Sequence, residues 1–317
     1  MSGGKALLLH LAVVAVLFAL NFVLPDYHHG VLARVLVFAV FAMGYGLLFG
    51  YAGLLSLGHA MFFAAGMYGT GLSMMHLGLN APLGFVAGIA AGAVLSLVVG
   101  VLALRTTGVA FMIVTMMFAQ VFYLAILYFS PWTRGEEGFV IDRQTRVLDI
   151  AGLNLDLADP TTRYMAALVM FALVLFILLR IVSSPFGRVL VAIRENEERT
   201  RMLGYDVFAN KLAAVVVSGA VCAAAGSAYA LLFGFAGATF ASVQYSILPL
   251  LWVLLGGATT TLGALVGTLF MYYVVDITSG YTTAYLLIVG VALIVLVLFF
   301  PKGILGTVRD RWVRWLP

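Results

Sequence analysis

The stretch SSPFGRVLVAIRENEERTRMLGYDVFANK, residues Ser183–Lys211, lies between two long apolar runs and crowds Arg188, Arg194, Glu195, Glu197, Glu198, Arg199, Arg201, Asp206 and Lys211 together. Charge is scarce in the rest of the chain, so its concentration here marks a solvated segment joining two apolar helices. Pro185 restricts the backbone of Ser184 and breaks the preceding helix. Glu195 with Arg199, and Glu197 with Arg201, are i,i+4 pairs in the favourable order, acid first. They predict one short surface helix over Arg194–Gly204, with Gly204 as its C-terminal cap. Met202, Leu203 and Tyr205 give its end an apolar surface. A short helix between two spans can pass a push to both, which favours a docking surface for a soluble partner over a merely solvated loop. Arg188 and Lys211 read as orientation signals rather than contacts.

Working outward, the composition agrees with this setting. Only 9% of the 317 residues are charged and 64% are hydrophobic, with a mean hydropathy of +1.12; soluble domains carry about 25% charged residues. A water-soluble chain so apolar would expose large hydrophobic patches, so the class is polytopic membrane protein, embedded in a lipid bilayer. The 34 glycines suit close helix packing in lipid. The net charge of +4 comes from loops beside spans and gives no reason to expect nucleic acid. The single cysteine, Cys222, excludes an internal disulfide and a multi-cysteine metal site.

Apolar runs long enough to span cover Ala6–Leu24, Val31–Phe49, Leu54–Met75, Leu83–Leu104, Val109–Phe129, Tyr164–Val182, Leu212–Phe233 and Tyr281–Phe300. A polar, slightly acidic loop occupies 130–163. Basic residues favour the cytoplasm in short loops, which puts 183–211 and the tail from Lys302 inside and 130–163 outside. Both termini are then cytoplasmic. Parity requires an even number of crossings between Lys211 and Lys302, so 244–275 is expected to be a broken helix: two short spans or a re-entrant pair around GGATTTLG (256–263). Such breaks at membrane depth are buried in protein or line a watery cavity, which leaves a transport path or a kinked packing helix. The sum is an all-α bundle of about ten transmembrane segments in one domain, residues 1–317. LFGYAG (48–53) and LFGFAG (232–237) close the second span of each half and suggest an inverted repeat. Gly84, Gly88 and Gly92 form one small-residue ridge and Gly263 and Gly267 another, for packing within the bundle or against a second membrane subunit.

Enzyme motifs are absent. No G-x-x-x-x-G-K-[ST], G-x-S-x-G or H-E-x-x-H occurs, and His28, His29 and Asp26 make a poor metal site. Between Arg34 and Arg134 only Arg105 is charged, and between Lys211 and Lys302 only Asp276, each at the end of an expected span. Proton- or sodium-driven carriers usually need ionisable groups inside the membrane, so energy is expected from elsewhere. A path without fixed charge would hold a zwitterion weakly, through broken-helix termini and hydroxyls. Its candidate lining is Gly53, Ser56, His59, Tyr68, Gly256, Gly257, Thr259, Thr260 and Thr261. For His59 a hydrogen bond to a neighbouring helix is the competing reading. A stand-alone channel or secondary carrier is the alternative from another class.

Taken in order, GYAGLLSLGHAMFFAAGMYG (50–69), ALRTTGVAFMIVTMMFAQ (103–120), SPFGRVLVAIRENEERTRMLGYD (184–206), LLGGATTTLGALVG (254–267) and FPKGILG (300–306) resemble the LivM-type permeases of branched-chain amino acid importers. RENEERTRMLG resembles the cytoplasmic coupling loop of ATP-binding-cassette importer permeases. That resemblance implies a bacterial inner-membrane subunit paired with a LivH-like permease, two cytoplasmic ATP-binding subunits and a periplasmic substrate-binding protein. It implies that ATP and Mg sit on the partner subunits, with no cofactor on this chain. Contacts to the ATPase would fall to Arg194, Glu195, Asn196, Glu197, Glu198, Arg201, Leu203 and Gly204. Relatives moving urea, short amides or small carboxylic acids are the alternative substrate classes.

Overall fold

Helix α2 (Asp26–Gly46) is the axis of the bundle: from Val31 to Gly46 every residue except Arg34 is buried. A helix apolar on all sides must be covered around its whole circumference. Here α7 (Pro160–Ser183), α10 (Val207–Phe233), α11 (Val243–Gly256) and α12 (Gly263–Tyr281) cover it. The computed structural model describes residues 2–150, 153–282 and 302–311, with scattered positions between 284 and 299. The remaining helices are α1 (Ser2–Leu20), α3 (His59–Leu77), α4 (Ala81–Ala103), α5 (Gly108–Tyr128), the single turn α6 (Ser130–Thr133), α8 (Pro185–Glu195), α9 (Glu197–Met202) and α13 (Ile304–Arg311). Among the described residues six helices are long and apolar enough to cross a membrane: Tyr27–Tyr51, Ala81–Ala103, Gly108–Tyr128, Pro160–Ser183, Val207–Phe233 and Gly263–Tyr281. The chain is an α-helical, multi-pass membrane bundle. The expected last span, Tyr281–Phe300, lies largely outside the described residues.

Glycines set how closely these helices approach. A Cβ on Gly226 of α10 would overlap the Phe63 carbonyl of α3, and one on Gly66 of α3 would overlap that of Ala223. The ridge of Gly84, Gly88 and Gly92 faces Met74, Thr70 and Ala223, so α4 uses it to pack on α3 and α10. Gly263 and Gly267 face Gly256 and Trp252 of α11. Both ridges are therefore occupied within the chain. Helix starts follow the expected chemistry: Asn80 accepts from the Leu83 amide at 3.1 Å, Asp159 from Thr162 at 3.0 Å and Asp206 from Ala209 at 2.9 Å, each satisfying an orphan N–H.

The two ends of the bundle differ. At the strand end, β1 (Phe139–Val140) pairs antiparallel with β4 (Phe235–Ala236), just past α10. Beside it β2 (Val147–Ile150) and β3 (Leu153–Asp156) form a hairpin with Val147 opposite Asp156. Strands of two to four residues carry no readable alternation, so the sequence shows only a polar loop here. Asp156 anchors the hairpin: its carboxylate accepts from the Ala158 amide at 2.8 Å and pairs with Arg143 at 2.7 Å. The amide first, and the guanidinium after it, hold this carboxyl below the ordinary carboxylate range. The opposite, charged end carries α8, α9 and α13.

One boundary differs from expectation, and the expected break within 244–275 is found. The third span begins at His59 rather than Leu54, because α2 runs into a π turn, Leu47–Tyr51, and Gly53 then takes a left-handed φ of +70°. Residues 244–275 comprise α11 and α12, joined at 257–262. At about 1.5 Å per residue α11 reaches about 21 Å, short of the roughly 30 Å hydrocarbon core.

Candidate functional site

Two interrupted helices meet at the charged end. The π turn closing α2 and the break between α11 and α12 are in backbone contact, since a Cβ on Gly50 would overlap the Ala258 carbonyl. The Tyr51 hydroxyl donates to the Thr259 carbonyl at 3.3 Å. Gly257, with φ of +119°, makes the turn that a side chain would strain. Both sites leave carbonyls outside regular helix ladders, where cations are favoured.

Two guanidiniums take these carbonyls. Arg194, next to last in α8, donates to the Gly50 carbonyl and braces itself on Glu195 at 2.7 Å. Its stem covers Gly53, where a Cβ would come within 2.6 Å of the Arg194 Cγ. Arg309 of α13 donates to the Thr259 carbonyl at 3.1 Å and to its hydroxyl at 3.3 Å. A cavity of about 600 Å³ lies between, lined by Tyr51, Val191, Arg194, Thr259, Lys302 and Arg309 among others. The charged segment is thus joined to the π turn through Arg194, and the break at Thr259 to α13 through Arg309.

That segment is two helices, not the single one expected over Arg194–Gly204. Asn196, at φ −160° and ψ 104°, leaves the helical region and caps α9 by accepting from the Arg199 amide at 2.8 Å. The kink turns Glu195 onto Arg194, so the expected Glu195–Arg199 pair does not form. Glu197–Arg201 does, at 3.3 Å. Gly204 (φ +87°) ends α9 with amide bonds from Gly204 to Arg201 and from Tyr205 to Thr200, the Schellman pattern. Lys211, read from sequence as an orientation signal, also makes a contact within the chain: it is 9% exposed and its ammonium donates to Glu197. Lys211→Ala is expected to lower stability by about 1 kcal/mol, and the exchange Glu197→Lys with Lys211→Glu to restore part of it. Thermal unfolding of the detergent-solubilised protein measures both. The outer surface of the segment presents Glu195, Glu198 and Arg201, with Met202 85% and Leu203 70% exposed.

The candidate path residues fall in three places. Thr259 and Thr260 line cavities at the break that Gly256 and Gly257 frame, while Thr261 bonds to His10 of α1 at 2.8 Å and Gly53 sits behind Arg194. Ser56 and His59 are enclosed at the start of α3, where the Ser56 hydroxyl accepts from the Gly58 amide at 3.2 Å. His59 Nε2 lies 2.9 Å from the Ser218 hydroxyl, which itself donates to the Gly44 carbonyl at 2.7 Å. Ser218 therefore accepts from the imidazole, the helix-to-helix bond weighed from sequence. Tyr68 lies toward the strand end, edge-on to Phe139 at 5.6 Å. Sequence reasoning missed Tyr51 and Arg309; Tyr51 stands between Gly50 and Gly53, which was an available signal, whereas Arg309 is one of several basic residues in the tail and nothing in the sequence sets it apart. Among the described residues no group of three His, Cys, Asp or Glu side chains could hold a metal.

The profile of the family described as branched-chain amino acid transport system, permease component, matches residues 28–298. The chain is 26% identical to the high-affinity branched-chain amino acid transport system permease protein LivM of Salmonella typhimurium, across 97% of this chain and 76% of that one. It is also 26% identical to the protein of that name from Escherichia coli, across 87% of this chain and 69% of that one. A shorter segment, 28% of the chain, is 35% identical to the probable branched-chain amino acid transport permease protein LivM of Methanocaldococcus jannaschii, covering 26% of it. No solved structure matches the chain. The chain belongs to the family of permease components of branched-chain amino acid transport systems, a family of transporters rather than catalysts.

Proposed function

We propose that this chain is the LivM-type permease subunit of an ATP-driven importer of branched-chain amino acids. It pairs with a LivH-like permease, two cytoplasmic ATP-binding subunits energise it, and a periplasmic binding protein delivers the solute. It sits in a bacterial inner membrane as one domain, residues 1–317, of about ten spans built as an inverted repeat. The charged end and both termini face the cytoplasm, and the strand end faces out. One observation carries the reading: Arg194 ties the exposed hairpin α8–α9 to the π turn of α2, across a shared cavity from the break at Thr259. ATP-driven closure of the partner subunits shifts α8–α9, and the two breaks move with it, exposing Gly256–Thr260 to alternate sides.

Capture of the ATP-binding subunit by the tagged, detergent-solubilised chain tests this. The wild-type chain is expected to capture it, and Met202→Glu with Leu203→Glu to reduce capture at least about tenfold, as for a central apolar contact, without changing elution in size-exclusion chromatography. A wild-type chain that captures no ATP-binding subunit, or a double variant that captures it fully, sinks the proposal.

A further inference from the structure

Arg34 is the single exposed position in the otherwise buried run Val31–Gly46 of the axial helix. It lies eight residues beyond the start of α2, about two turns in from the strand end of that helix. Its guanidinium stands 5.1 Å from the centre of the Phe233 ring, and that of Arg163 stands 5.3 Å from the same ring. Arg146 reaches the same corner from the loop, donating to the Leu231 carbonyl at 3.3 Å. Among the described residues no carboxylate forms an ion pair with any of the three. Arg146 is 8% exposed, and both it and Arg163 hold a buried Nε–H without a partner. Asp142, Asp156 and Asp159 act on Arg146 and Arg163 only at a distance, so the three guanidiniums share the corner without a carboxylate in contact.

The one acid between Lys211 and Lys302, Asp276, stands on the facing helix α12. It accepts from the Tyr27 hydroxyl at 3.2 Å. Arg34 is engaged first by the Tyr272 hydroxyl, through a hydrogen bond, and more weakly by Tyr229 and then Asp276; among the described residues Arg34 and Asp276 form no salt bridge. Both lie within helices able to cross a membrane. Half-buried Tyr229, Phe233, Tyr245 and Tyr272 form the wall beside them, with Tyr229 stacked on Phe38 at 5.7 Å.

We infer that this corner between α2 and α12 is a resting site for the incoming zwitterion, with Arg34 taking the α-carboxylate, Asp276 the α-ammonium and the aromatic wall the apolar side chain. An unclosed acid–base pair is bridged by a ligand carrying both opposite charges on one carbon. Arg34 presents a fork suited to a carboxylate. The inference rests on the importer reading for its direction of entry, and its test is separate from ATPase capture.

The assembled transporter, without the periplasmic binding protein, is titrated calorimetrically with L-leucine, with leucinamide, which lacks the carboxylate, and with 4-methylpentanoate, which lacks the amine. Wild type is expected to bind leucine more tightly than either analogue. Arg34→Gln should weaken leucine about tenfold or more, the loss of one charge-assisted hydrogen bond, and leave leucinamide unchanged. Asp276→Asn should do the same with 4-methylpentanoate as the unchanged ligand. Damage to the fold would weaken all three ligands alike. No leucine binding by wild type, no loss in either variant, or equal losses for all three ligands overturns the inference, while ATPase capture continues to judge the importer reading alone.

Discussion

Arg194→Ala is expected to cut leucine uptake into vesicles about thirtyfold while the ATP-binding subunits still co-purify and still hydrolyse ATP. The side chain spans the gap between the exposed hairpin and the bundle, donating to the Gly50 carbonyl at the π turn and covering Gly53. A hydrogen bond from a charged group contributes about 2 kcal/mol, and each 1.4 kcal/mol is about tenfold in an equilibrium constant. On the proposed importer reading, α8 and α9 without it would follow the ATPase while α2 does not. Arg194→Lys retains the charge but not the fork that also engages Glu195, so it should fall between the two. Unchanged uptake in the alanine variant would show that force reaches the bundle elsewhere. Loss of co-purification would place Arg194 in the docking surface rather than behind it.

Gly267→Val is expected to leave no folded protein in detergent. A Cβ there would overlap the Trp252 carbonyl of α11, and the adjacent Gly256 amide stands only 2.9 Å from that position. Backbone cannot step aside as a flexible side chain can, so the cost is at least about 3 kcal/mol, a large share of a typical folding free energy. Gly280, on the same helix, is the control: a Cβ there meets nothing within 4 Å. Gly280→Ala should be neutral or raise stability by up to about 1 kcal/mol, by helix propensity alone. Thermal unfolding followed by fluorescence size exclusion reads both. A Gly267→Val protein as stable as its parent would mean that α11 and α12 stand further apart.

Much of the architecture was legible because a bilayer imposes one pattern, apolar runs of fixed length, that needs no tertiary information. The runs at Leu83–Leu104 and Val109–Phe129 match α4 and α5 within a few residues. The start of α3 was not legible, since Gly50-Tyr51-Ala52-Gly53 is as apolar as the helix it interrupts and only a positive φ at Gly53 sets it apart. In the charged segment the pairing rule pointed to Glu195–Arg199 and to Glu197–Arg201. Asn196 competed successfully for the backbone, as a capping residue does, and only the second pair survived. Lys211 and Arg34 were hidden for a common reason: a lone cation beside an apolar run looks the same whether it faces water or a partner many residues away.

The strand-end loop is made before the residues that complete it. Arg146 reaches Leu231 across a sequence separation of 85, the Ile141 amide donates to the Gly234 carbonyl at 2.9 Å, and β1 finds its partner strand only at Phe235–Ala236. During synthesis the loop must therefore emerge unclosed and wait until α10 has been threaded through the membrane with its C-terminus on the same side. A chain whose second half enters upside down leaves Arg146 without its carbonyl and β1 without its strand. The loop's closure is thus a local report on the topology of a helix made some 85 residues later.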